Sequence, residues 1–206
     1  MSRKEHWENV YQTKGLNEVS WFREHLDTSM RLISNTGVGK DASIIDVGGG
    51  NSTLVDDLLD SGFVDVSVLD ISANAIDGSK ERLGAKANGV DWFVADVTSA
   101  ELPVEKFDVW HDRAVFHFLT AEDDRRKYVE LVMRSLKPDG HIIVASFSLE
   151  GPQKCSGLDV MRYSPETMHN EFGRPFQLVE SLAEIHNTPF STTQEFIYCY
   201  CRKSYS

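Results

Sequence analysis

From residue 43 onward the chain alternates short apolar runs with amphipathic ones. Ser43–Val47 reads as a strand, followed by a helix over about 53–61 whose Leu54, Val55, Leu58 and Leu59 fall on one face. Residues 65–69 form the next strand and lead into a helix over about 73–87. A third strand, 91–95, ends at Asp96, and 107–111 forms a fourth. A longer helix over about 123–136 carries Tyr128, Leu131, Val132 and Leu136 at helical spacing. It stops at the turn Lys137-Pro138-Asp139-Gly140. Residues 141–147, apolar at their centre, suit a strand buried on both faces. Strands alternating with helices of this length predict right-handed βαβ crossovers and a parallel sheet. The runs 176–186 and 193–203 leave no room for a helix between them, so they predict an antiparallel hairpin at the sheet edge.

Residues 1–40 precede the first strand and are rich in aromatics. Trp7 and Tyr11 stand four apart and share a helical face; Trp21 and Phe22 follow. This segment either packs on the core or covers a ligand mouth as a lid. With no repeat, low-complexity run or dividing linker, one domain over 1–206 is expected. It comprises a helical lid segment over 1–40 and a core over 43–203.

Composition narrows the partners. A chain of 206 residues suits one domain with a full core. Its 21 basic and 32 acidic residues leave a formal charge of −11, which opposes non-specific binding to nucleic acid or anionic membrane. Three cysteines make no disulfide framework and are too scattered for a metal site. The start, Met1-Ser2-Arg3-Lys4-Glu5-His6, lacks the apolar core of a signal peptide. No apolar run approaches the roughly 18 residues of a membrane span. A soluble, cytoplasmic protein is expected, with neither nucleic acid nor membrane as partner.

The stretch Ile44-Ile45-Asp46-Val47-Gly48-Gly49-Gly50-Asn51-Ser52 carries the chemistry. It joins a strand to a helix through a glycine turn where the backbone can approach a ligand closely. The second strand runs into Asp70, whose carboxylate suits a ribose diol. A dinucleotide fingerprint requires a small residue where this chain has Thr53. Asp46 would repel a pyrophosphate and suits a cationic or amine-bearing ligand.

Asp46-Val47-Gly48-Gly49-Gly50-Asn51-Ser52, Asp70, Ala95-Asp96-Val97, Leu136-Lys137-Pro138-Asp139-Gly140 and the terminal hairpin together resemble a class I S-adenosylmethionine-dependent methyltransferase, over about residues 43–203. The family pattern is acidic-x-Gly-x-Gly-x-Gly; Ser52 replaces the last glycine, as in some thiopurine- and lysine-methylating relatives. The resemblance implies an α/β, Rossmann-like fold. Its sheet would be seven-stranded and mostly parallel, with helices on both faces and an antiparallel C-terminal hairpin. It implies S-adenosyl-L-methionine as cofactor. Gly48, Gly49, Gly50, Asn51 and Ser52 would hold its methionine portion and ribose, Asp46 its amino group and Asp70 its ribose hydroxyls. Asp96 and Val97 would meet the adenine, and Trp21, Ile71 and His111 would border the cofactor.

The acceptor side is less determined. Trp110-His111-Asp112-Arg113-Ala114-Val115-Phe116-His117-Phe118 lacks the Asn/Asp-Pro-Pro-Tyr/Phe motif of amide- and adenine-methylating enzymes. Its Asp112-Arg113 pair resembles that of thiopurine methyltransferase relatives. His111 and His117 are candidate general bases or packed residues, and Arg113 a candidate partner for an acceptor carboxylate. The loop after the fifth strand should border the acceptor; in it, Lys154 beside Cys155 would lower the thiol's pKa. Trp7, Tyr11, Phe22, Cys155 and Arg162 complete the candidate substrate residues. The leading expectation is methyl transfer to a small molecule, plausibly a thiol or other soft nucleophile. The alternatives are a protein lysine methyltransferase and a non-catalytic module that binds S-adenosylmethionine.

Overall fold

The computed structural model describes residues 1–204; the last two residues of the expected 1–206 domain lie outside the described residues. Helix α1 (Arg3–Thr13) opens on a reciprocal cap, the Glu5 amide donating to Ser2 Oγ and the Ser2 amide to Glu5 Oε2. A bent strap then leads to α2 (Asp27–Asn35). The alternating part runs β1 (Ser43–Val47), α3 (Leu54–Asp60), β2 (Asp65–Asp70), α4 (Ala73–Leu83), β3 (Val90–Val94), β4 (Phe107–Arg113), α5 (Glu122–Ser135) and β5 (Leu136–Phe147). The two-residue strands β6 (Lys154–Cys155) and β7 (Leu158–Asp159) pair in the loop beyond. The chain ends with α6 (Pro165–Phe172), β8 (Phe176–Asn187) and β9 (Thr193–Lys203).

The sheet order is β3-β2-β1-β4-β5-β9-β8. Six strands run in the same direction, β1 to β5 and β8, and β9 inserts antiparallel between β5 and β8. The expected Rossmann-like sheet and its terminal hairpin are present. Side chains alternate faces along each strand. Ile142 and Val144 enter the cluster around Trp110, Tyr128, Phe116 and Phe172, on the α5–α6 side. Ile143, Ala145 and Phe147 enter the cluster around Leu32, Ile33, Leu54 and Leu58, on the α2–α3 side. Between β1 and β4 the strand order reverses direction, which opens a crevice at their carboxyl ends.

Two details depart from expectation. The Pro-Gly turn before the fifth strand is a bulge within it. Leu136 pairs with Phe107 and His141 with Val109, and the register shifts between them. Pro138 has no N–H for a ladder, and Asp139 takes φ 61° to carry the chain past it. Helix α6 was also unforeseen: eight residues framed by Ser164-Pro165 and Gly173 give too short a period to read.

Candidate active site

The glycine turn is shaped around two carboxylates. Gly48 takes φ 70°, and a Cβ there would lie 1.9 Å from Val115 Cγ2. A Cβ on Gly49 would meet Asp46 Oδ2 at 2.2 Å. Asp70, at the end of β2, accepts from the Gly50 amide at 3.0 Å and the Ser72 amide at 2.8 Å. Burial pushes its carboxyl up to about 6, against those two donors. Arg82 braces the turn from α4, donating to Asn51 Oδ1 at 3.0 Å and Ser52 O at 2.7 Å.

Two adjoining cavities open over this turn. The larger, about 700 Å³, is walled by Trp7, Tyr11, Trp21 and Phe118 and continues past Asp70, Ile71, Asp96 and Val97. Cys155 and Arg113 also reach it. The smaller, about 510 Å³, takes in Asp46, Gly49, Asn51, Ser52, His111, Phe22 and Arg23. Gly48, Tyr11, Trp21 and Arg113 line both.

Alternation along β4 sorts the expected catalytic run. His111 and Arg113 face the α2 side with the cavities; Asp112 faces α5. Asp112 lines neither cavity. Its carboxylate instead ties the following turn, accepting from the Val115 amide at 2.9 Å, the Phe116 amide at 3.1 Å and the Tyr128 hydroxyl at 2.7 Å. Burial pushes that carboxyl up to about 7. The turn carries Ala114 at φ 74°, a left-handed conformation rare for alanine. Arg113 donates from Nε to the Tyr198 hydroxyl at 3.2 Å and from Nη1 to Trp21 O at 3.1 Å, over the Phe196 ring at 4.4 Å. Its Nη2 is buried without a hydrogen-bond partner, 3.7 Å from Glu184.

Other expected residues move. His117 is fully buried, stacked on Phe147 with ring centroids 4.7 Å apart, and lines neither cavity. Burial pulls its pKa down to about 3, so it is no base for the acceptor. Arg162 donates to Leu149 O and Gly151 O and pins the loop rather than lining a cavity. Gly50 lies under the turn, its amide spent on Asp70. Lys154 points to Asp159 at 3.1 Å, and burial pushes the Cys155 thiol up to about 12 rather than down. Among the described residues there is no group of three His, Cys, Asp or Glu that would hold a metal ion. Nor is any helix among them long and apolar enough to cross a membrane.

Three contributors were not foreseen. Arg3 reaches Asp96 at 3.4 Å and Asp124 at 2.5 Å. Glu8 accepts from the Ser72 hydroxyl at 2.7 Å, the Ala73 amide at 2.9 Å and the Asn74 amide at 3.1 Å, closing the start of α4. Arg23 lines the smaller cavity and donates from Nε to His186 at 3.1 Å. The spacing Arg3-Trp7-Tyr11, one residue every helical turn on a single face, is the signal that could have found the first of them.

A seven-stranded sheet with this turn, a buried carboxylate at the end of β2 and a crevice at the strand switch is the architecture of the class I S-adenosylmethionine-dependent methyltransferases. Residues 45–144 match the family described as "Methyltransferase domain". Among curated proteins, the chain is 25% identical over 200 residues to EEF1A lysine methyltransferase 2 of Homo sapiens, covering 88% of this chain and 77% of that one. It is 27% identical over 139 residues to the eEF1A lysine and N-terminal methyltransferase of Bos taurus, covering 68% of this chain but only 20% of that longer protein. Among solved structures, the one described as "Conversion of a Disulfide Bond into a Thioacetal Group during Echinomycin Biosynthesis" superposes with a TM-score of 0.81 at 17% identity, covering 98% of this chain and 93% of that. The N-methyltransferase NodS from Bradyrhizobium japonicum, in complex with S-adenosyl-L-homocysteine, gives 0.73 at 13% identity, covering 98% and 99%. These two show the shared fold.

The residues fit S-adenosylmethionine as the cofactor. Asp46 Oδ2 is a buried carboxylate oxygen with no partner, on the wall of the smaller cavity. The turn beside it is open where a Cβ would block approach.

Proposed function

We propose that the chain methylates the side-chain amine of a lysine in a protein, with an elongation factor of the 1A type as the first acceptor to test. The kinship carries this reading: 88% of the chain aligns with a human protein named for lysine methylation of EEF1A. The cavity chemistry agrees with it. Trp7 meets Trp21 at 5.7 Å and 78°, and Phe118 at 5.1 Å and 75°, so aromatic faces and edges wall the space. Such walls pack on the apolar stem of a lysine side chain and strip water from its amine.

S-adenosylmethionine, when bound, supplies a methyl group on a cationic sulfur. The protein's work is alignment and exclusion of water. A lysine must arrive as the neutral amine. Desolvation disfavours its ammonium form, and the Arg113 guanidinium in the same wall disfavours a second positive charge. The proton then leaves to solvent, with no side-chain base required. Asp46, Asp70 and Asp96 stay on the donor side, where they suit the amino group, ribose and adenine. A small-molecule acceptor, the leading expectation from sequence, is the second reading; Cys155 on the cavity wall favours a soft nucleophile there.

The test is incubation with radiolabelled S-adenosylmethionine and a cell lysate, followed by separation of protein from small molecules. Label in a protein band, recovered as methyl-lysine after acid hydrolysis, is expected. Label confined to the small-molecule fraction overturns the lysine reading in favour of the second.

A further inference from the structure

Strands β1 and β4 lie side by side, with Asp46 and His111 as register partners. Both side chains point to the α2 side of the sheet and form a buried chain with a helix residue. Asp46 Oδ1 lies 2.7 Å from His111 Nδ1, and His111 Nε2 lies 2.9 Å from Ser29 Oγ. Asp46 is 2% exposed, and His111 and Ser29 are 0% exposed. One arrangement of protons satisfies both contacts with a neutral ring: the Ser29 hydroxyl donates to Nε2, and the Nδ1–H donates to Asp46. Polar groups this deep are ordinarily paired. One carboxylate oxygen is left over, Asp46 Oδ2, without a partner. It stands against the open side of Gly49, in the cavity that Gly48, Asn51 and Ser52 also line.

We propose that His111 and Ser29 are positioning residues: they hold Asp46 in the rotamer that presents Oδ2 to the α-ammonium of the methyl donor. The array thereby reads the amino-acid end of the donor, not its nucleoside end. The inference rests on Asp46 meeting that ammonium. Without the His111 donor, Oδ1 would be unpaired in an apolar interior, and the carboxylate would rotate or take up a proton. Ser29 acts one step further out. It fixes which ring nitrogen carries the proton, as partners behind a functional histidine do elsewhere. His111, expected from sequence to be a base or to border the cofactor, has both nitrogens engaged and is not free to take a proton from an acceptor.

Calorimetric titration with two ligands separates this role from a merely structural one. S-adenosylhomocysteine carries the amino-acid end; 5′-methylthioadenosine keeps the nucleoside and sulfur but lacks it. His111→Leu should weaken S-adenosylhomocysteine by about 10- to 100-fold, the loss expected for a hydrogen bond to a charged group. Binding of 5′-methylthioadenosine should be unchanged. His111→Asn, which keeps an N–H near the Nδ1 position, should restore most of the affinity. Ser29→Ala should show a smaller loss with the same selectivity, and it deletes a single hydroxyl, so it serves even where His111→Leu does not fold. Equal weakening of both ligands, or no weakening in either His111→Leu or Ser29→Ala, overturns the proposal. Asp46→Asn is the separate arm: if it leaves S-adenosylhomocysteine affinity untouched, the placement of the ammonium fails. If it weakens that ligand selectively while the His111 and Ser29 variants do not, the placement stands and the positioning role falls.

Discussion

Replacing Glu8 with alanine should loosen the grip of α1 on the donor site. The carboxylate accepts three hydrogen bonds, from the Ser72 hydroxyl and the Ala73 and Asn74 amides, at the partly buried start of α4. Burial raises the pKa of Glu8, but those donors outweigh it, and the net shift is downward. Hydrogen bonds to a charged acceptor contribute about 1.5–3 kcal/mol each when buried, and much less where water competes. Glu8 is only partly buried, so about 2 kcal/mol for the whole latch is the sensible figure, helix-dipole attraction included. That corresponds to roughly 30-fold in the closed-to-open ratio of α1. The Ser72 amide also donates to Asp70, so the latch is one residue removed from that cavity-lining carboxylate. The assay is stopped-flow displacement of S-adenosylhomocysteine, with amide hydrogen exchange in α1 measured alongside. Glu8→Ala should raise the off-rate by about that factor and expose α1 amides to exchange. If α1 exchange rises while the off-rate stays at the wild-type value, α1 does not gate the donor. If neither changes, the three hydrogen bonds hold nothing.

Two further outcomes follow from buried titratable groups. His117 has a folded pKa near 3 against an unfolded value near 6.5. Its contribution to stability is therefore present above pH 6.5 and lost as pH falls toward 3, costing about 2 kcal/mol at pH 5. His117→Leu should remove that acid sensitivity in urea unfolding at pH 5 and 7 while keeping methyl transfer; loss of transfer in a folded variant would reinstate the ring as a base. Asp70, raised to about 6 from 3.8, contributes stability that is present below about pH 3.8 and lost as pH rises through 6. Donor hydroxyls favour its ionised form, so S-adenosylhomocysteine should bind more tightly from pH 5 to 7 and release protons near pH 6. Titration in two buffers of different ionisation heat reads this directly, and zero proton release at pH 6 would refute it.

Most of the fold was legible because the apolar runs from Ser43 to Phe147 are long enough for period to show, and their spacing admits only crossovers. The terminal hairpin was legible for the opposite reason, the lack of room between its strands. What escaped was short or irregular. Helix α6 spans only Pro165–Phe172. The bulge at Asp139 looks identical, in sequence, to a helix-ending turn, because Pro and Gly serve both.

The site divided along a similar line. Asp46, Gly48 and Asp70 were readable because a strand-turn-helix puts them at a fixed place relative to one another. The run His111-Asp112-Arg113 was read as one catalytic block, although the period of a strand sends its middle residue to the opposite face. Applying that alternation to β4 separates Asp112, which braces Val115, Phe116 and Tyr128, from its two neighbours at the cavities. No such rule reaches Arg3, Glu8 or Ser29, whose partners lie 93, 64–66 and 82 positions away in the chain. Each depends on how a helix outside the alternating core docks against it. Only the repeat of Arg3, Trp7 and Tyr11 on one helical face hints that α1 has a buried and functional side. The larger cavity is built between that helix and the core, which is why the glycine turn could be read from sequence and the wall facing it could not.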